Sequence, residues 1–142
     1  PQIAAGAARA GRDPSACAVA GSAFVITGPD RATVEQMRGF VKQQIAFYAS
    51  TPTYRPVLEC HGWGEVGEQL TQLAGQQRWA EMPALISAEM LQTFAVEAPP
   101  DELGAALRER FDGLLDRVGL YSLPFVPGQN DDLWRALLRS FA

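Results

Sequence analysis

Histidine is nearly absent from this sequence: one residue in 142, His61. A metal centre built on several imidazoles is thereby excluded. Carboxylate-only sites stay open, although no EF-hand spacing is present. Cysteine is scarce too, with Cys17 and Cys60 far apart. The plain reading is two free thiols in a cytoplasmic protein, with a disulfide as the alternative. No apolar run approaches the length of a bilayer span. The net charge of -4, from 12 basic and 16 acidic residues, leaves no electrostatic footprint for nucleic acid or an anionic membrane. A G-x-S-x-G elbow, an H-E-x-x-H pair, a phosphate loop and a dinucleotide fingerprint are all missing. An unrelated small α/β hydrolase and a Rossmann dehydrogenase are therefore unsupported.

What is present is α/β patterning of one domain's length. The organising stretch is Phe94–Tyr121. A short apolar run, Phe94–Val96, meets Pro99-Pro100, and Asp101 and Glu102 supply an acidic first turn. Leu103, Ala106, Leu107, Phe111, Leu114 and Leu115 then recur at helical spacing, and a second run, Val118–Tyr121, closes the unit. Strand, helix and strand with tight connections make a βαβ unit. Such units place ligands at the carboxyl ends of their strands.

Upstream, Ile3–Ala10 reads as two helical turns stopped by Gly11 and Pro14. The opening PQIAAGAARAGRDP resembles the close of a helix, which suits a processed chain, an expression artefact or part of something longer. Cys17–Ile26 reads as a buried strand, and Asp30 as the N-cap of a long helix, Arg31–Ser50, with its stripe at Val34, Met37, Val41, Ile45 and Tyr48. A helical insertion over approximately 54–92 comes next, with helices at Glu65–Ala74, Arg78–Ile86 and Ser87–Leu91. A last helix covers Asp131–Phe141. Three parallel strands need cover on both faces and leave an edge bare. The chain is thus expected to be one portion of a larger sheet or to pair with another copy. A complete small three-stranded domain is the competing view.

Several phrases carry a family resemblance: GRDP at Gly11–Pro14, AGSAFVITG at Ala20–Gly28 and QIAFYASTPTYRPVLECHGWG at Gln44–Gly64. RWAEM at Arg78–Met82, EMLQTFAV at Glu89–Val96 and DRVGLY at Asp116–Tyr121 extend it. The chain resembles the C-terminal part of a luciferase-like, deazaflavin-coenzyme-dependent oxidoreductase of the bacterial luciferase family. The resemblance implies a partial TIM (β/α)8 barrel, with Cys17–Ile26, Phe94–Val96 and Val118–Tyr121 as its sixth, seventh and eighth strands. It implies a deazaflavin coenzyme, or FMN as the alternative, and hydride transfer to or from an organic small-molecule substrate. The half that usually supplies the acid/base residues precedes this portion, so no catalytic residue is assigned and the chain is expected to be inactive alone. A non-catalytic, homo-oligomeric binding or assembly protein is the alternative function.

The candidate cofactor contacts are Thr27, Gly28, Ala98 and Tyr121. Thr27 offers a hydroxyl and Gly28 a close backbone N–H after the first strand, although capping and turn geometry account for the same residues. Ala98 stands where the family pattern has a glycine. Its methyl group is harmless if φ is negative and awkward if the backbone must turn left-handed. Asp101 and Glu102 beside it suit a helix start but repel an anionic tail. Tyr121 ends the last strand, with core packing as its plainer role. The top loops are expected at Thr27–Asp30, Glu97–Pro100 and Ser122–Gly128. His61 and Cys60 fall on the opposite end, where no neighbouring base activates the thiol. Trp63, Trp79 and Trp134 read as packing anchors, and Arg108, Arg110 and Arg117 as solvated or linking residues.

Overall fold

The run AGSAFVI is apolar and β-branched enough to be buried on both faces, and it forms the central strand β1 (Ala20–Ile26). The computed structural model describes residues 2–121 and 127–141. Before β1 stand helix α1 (Gln2–Arg9), ended by Gly11 at φ +61°, and a 3-10 turn, Pro14–Ala16, capped by Asp13. Asp30 starts α2 (Arg31–Ala49): its Oδ1 accepts from the Thr33 N–H at 2.8 Å. Helices α3 (Arg55–Glu59), α4 (Gly64–Gly75) and α5 (Ala88–Phe94) lead to the short strand β2 (Ala95–Glu97). Helix α6 (Leu103–Phe111), strand β3 (Arg117–Tyr121) and helix α7 (Asp131–Arg139) complete the order.

Both outer strands pair with β1 in parallel, giving the order β2-β1-β3. β2 runs along Phe24–Ile26 and β3 along Ala20–Phe24, so Phe24 has a partner on each side. Alternation splits β1 between two cores. Phe24 and Ile26 face α2, α4 and α5 in a core with Val41, Ile45, Leu70, Met82 and Met90. Ala23 and Val25 face α6 and α7, with Val96, Leu103, Leu107 and Leu137.

This sheet corrects the barrel arc expected from the sequence. Consecutive barrel strands would put β2 between β1 and β3, and all helices on one side. Here β1 is central, and α2 and α6 lie on opposite faces. The cause is edge length. β3 gains a five-residue register on β1, whereas β2 has only three residues to offer. The expectation of bare borders agrees with the described residues, in which neither outer strand has a second neighbour.

Four local readings are changed or sharpened. The helix expected at Arg78–Ile86 is only a 3-10 turn, Met82–Leu85, because Gln77 turns left-handed at φ 59° to close α4 and Pro83 limits the new turn. Helix α6 stops at Phe111, short of the Leu114 and Leu115 expected on its apolar stripe, with Gly113 at φ +67° beyond it, and Leu114 is exposed. Trp79 is no anchor: it is 41% exposed, whereas Trp63 and Trp134 pack against the two cores. Arg108 does more than meet solvent, since its guanidinium donates to the Ser140 and Phe141 carbonyls, both at 3.0 Å, at the end of α7.

Candidate functional site

Three of the four candidate residues gather at the carboxyl ends of β1 and β2. Thr27 directly follows β1, is 1% exposed, and its Oγ1 has no hydrogen-bond partner. A buried hydroxyl in that state costs about 1–3 kcal/mol relative to a satisfied one. Gly28 is buried beside it, and a Cβ there would come within 2.8 Å of the Thr33 Cγ2. Packing beneath Thr33 therefore accounts for that glycine. Ala98 donates its N–H to the Ile26 carbonyl at 3.2 Å and extends the β2 ladder. Among the described residues Gln77 is the only non-glycine with positive φ, so the Ala98 methyl is accommodated without strain.

Charge at this end is already committed. The Asp30 carboxylate occupies the start of α2, and the Thr33 hydrogen bonds hold its pKa below the ordinary carboxyl range. Arg38 of α2 donates Nε to Glu97 Oε2 at 2.7 Å, makes a second bond to the same carboxylate, and also binds Glu35. These partners raise the guanidinium's pKa further, the Glu97 hydrogen bonds first. Beyond them a polar cleft of about 770 Å³ runs along the outer edge of β2, between Lys42 and Arg38 on one side and Glu109 and Arg110 on the other.

Tyr121 lies apart from these three. It pairs with Phe24, two residues before the end of β1, and its ring meets Phe24 edge-on at 5.1 Å. Its hydroxyl is 3.1 Å from that of Tyr48, whose pKa is raised by this hydrogen bond and by the neighbouring phenol's charge. Both line an aromatic groove of about 450 Å³ on the α2 face. Tyr48 also meets Tyr54 at 5.6 Å, which ties α2 to its following loop. The polar cleft and the phenol pair carried no motif in the sequence. The pair joins residues 73 apart.

His61 is exposed and stacked on Trp63 at 4.7 Å, in the turn between α3 and α4. Cys60 is exposed, with its Sγ 3.0 Å from the Val57 carbonyl. Neither touches the carboxyl-end residues. Among the described residues no three His, Cys, Asp or Glu side chains gather as a metal site, and no helix is long and apolar enough to cross a membrane. The expected third loop, Ser122–Gly128, lies outside the described residues except for Pro127 and Gly128.

A family model described as luciferase-like monooxygenase matches residues 1–117. The chain belongs to the luciferase-like monooxygenase family. Uncharacterized proteins from Mycobacterium bovis and from two strains of Mycobacterium tuberculosis are each 42% identical to it over 141 residues. That match takes in 99% of this chain and 40% of each relative, so the chain spans about two fifths of the length of these relatives. No solved structure matches the chain.

Luciferase-like proteins use reduced flavin or deazaflavin cofactors. Against such a coenzyme the carboxyl-end residues fit in part. The unpartnered Thr27 hydroxyl suits a polar ring edge, as donor or acceptor. A phosphate tail finds no seat there: Asp30 fills the helix start and the Ala98 N–H is spent within the sheet.

Proposed function

We propose that this chain is a portion of an oxidoreductase that transfers hydride between a deazaflavin or flavin coenzyme and an organic substrate. Membership of the luciferase-like monooxygenase family is the observation that carries this reading. The coenzyme, when bound, supplies the hydride-carrying ring. The part given to this chain is orientation. Thr27 hydrogen-bonds a ring edge at the carboxyl end of β1, and the buried Gly28 and half-buried Ala98 keep that end of the sheet closely packed. No proton transfer is assigned to a residue of this chain. The acid and base fall to the three fifths of the relatives' length that the match does not reach. The bare borders at β2 and β3 are then met by that remainder or by a second copy.

Titration with oxidised deazaflavin coenzyme and with FMN, followed by their fluorescence, tests the proposal on this chain and on the longer Mycobacterium tuberculosis relative. The longer protein is expected to bind one of them and to reduce or oxidise it with a substrate. The isolated chain is expected to bind weakly and to turn nothing over. A longer relative that binds neither coenzyme overturns the proposal, and so does full activity of this chain alone.

A further inference from the structure

We propose that the aromatic groove on the α2 face binds an uncharged, ring-bearing small molecule that carries a hydrogen-bond donor. The groove is not the carboxyl-end site. It sits over Ser22 and Phe24 in β1, beside the last turns of α2, and reaches Phe94 just before β2. Its volume of about 450 Å³ is that of a small-molecule site. Five aromatic side chains line it: Phe24, Tyr48, Tyr54, Phe94 and Tyr121. Such rings favour stacked and edge-on contact with another ring.

The lining excludes charge. No Asp, Glu, Lys, Arg or His side chain borders the groove among the described residues. An ionised ligand would lose hydration there without gaining a partner. The polar atoms are hydroxyls, and their hydrogen bonds set the ligand's polarity. Tyr121 donates to Gln44 Oε1 at 3.5 Å, so the Tyr48 hydroxyl donates to Tyr121 across 3.1 Å. Both protons are then used, while each phenol oxygen keeps acceptor capacity. A ligand O–H or N–H completes that chain. Among the described residues the groove is open, because β3 presents Gly119 on this face between Arg117 and Tyr121, and the helices on this face pack against β1 and β2.

The test uses this chain and naphthol, a neutral aromatic alcohol, with anionic naphthoate as the second arm. Ligand-observed NMR titration reads the affinities. Naphthol is expected to bind saturably, and naphthoate about tenfold or more weaker. Val57→Arg puts a cation on a wall residue that is 43% exposed and is expected to weaken naphthol about tenfold or more. Tyr54→Lys does the same on a second exposed wall residue, should the first variant misfold. Tyr48→Phe removes one phenol and is expected to weaken naphthol about three- to tenfold. Phe40→Ser, exposed on α2 outside the groove, is expected to leave binding unchanged. The proposal is overturned by lack of saturable naphthol binding to folded protein, by equal affinity for naphthoate, or by binding that survives both wall variants. A dimer that dissociates in Val57→Arg would show instead that a second copy fills the groove, and overturns it as well.

Discussion

The two faces of the sheet are closed in different ways. On the α2 face a 19-residue helix with α4 and α5 buries a continuous core from Ile26 through Ile45 to Met82, and aromatic surface is left over at its border. On the other face α6 and α7 have nine residues each and bury a smaller core around Leu107 and Leu137. That face relies on a polar lock between helix ends. Ser140 Oγ accepts the Gly104 N–H at 2.9 Å, and Arg108 holds the last carbonyls of α7. Both kinds of helix leave end groups unpaired. The long α2 has its own flanking cap at Asp30, whereas α6 and α7 satisfy end groups of each other.

The widest test of this contrast is core truncation on each side. Leu70→Ala and Leu107→Ala, at 0% and 1% exposure, are each expected to cost about 2–5 kcal/mol in denaturant unfolding. Hydrogen exchange sharpens it: Leu107→Ala should release α6 and α7 amides while α2 stays protected. Equal release of α2 would show one cooperative unit and break the comparison. The lock itself comes next. Gly104→Ala puts a Cβ 2.4 Å from the Ser140 carbonyl oxygen, backbone that cannot step aside cheaply. A loss of about 1–3 kcal/mol is expected by thermal melting. On the α2 face Asp30→Ala removes the N-cap and should lower the melting temperature by less than Gly104→Ala does in the same assay.

Smallest are the effects of pH, and they run in opposite directions. Asp30's pKa is lowered by the Thr33 hydrogen bonds. Its stabilising contribution is present above the unfolded carboxyl pKa and is lost as pH falls through the lower folded value. Tyr48's pKa is raised by Tyr121. Its contribution is present below the ordinary phenol pKa and is lost as pH rises through the raised folded value. Melting of Asp30→Asn against wild type in acid, and of Tyr48→Phe against wild type in alkali, checks each sign by whether the two curves converge.

The elements were legible in the chain because their signals are local. The stripe of α2, the Asp30 cap and the apolar runs of β1 and β3 all lie within a few residues of the structure they specify. The end of α4 was nearly visible too, expected at Ala74 and found at Gly75, with the left-handed turn following at Gln77. Strand order was not legible. It depends on β3 taking the free edge of β1 opposite β2, a choice of edges that no run of neighbours encodes. Of the site, Thr27, Gly28 and Ala98 were placed at one end of the sheet by strand polarity. Tyr121 went elsewhere because β3 is in register with the first part of β1, which sets Tyr121 beside Phe24 rather than at the carboxyl end. The idle Thr27 hydroxyl could not be foreseen, since a missing partner is a property of packing alone.

β2 takes the upper reach of β1 and β3 the lower, and only Phe24 is flanked by both. The three strands are thus laid like the courses of a stair, sharing a single tread. A lateral load passed from one outer strand to the other funnels through that one rung. Skewing the stair there would part the two outer courses while each kept its own ladder to the middle.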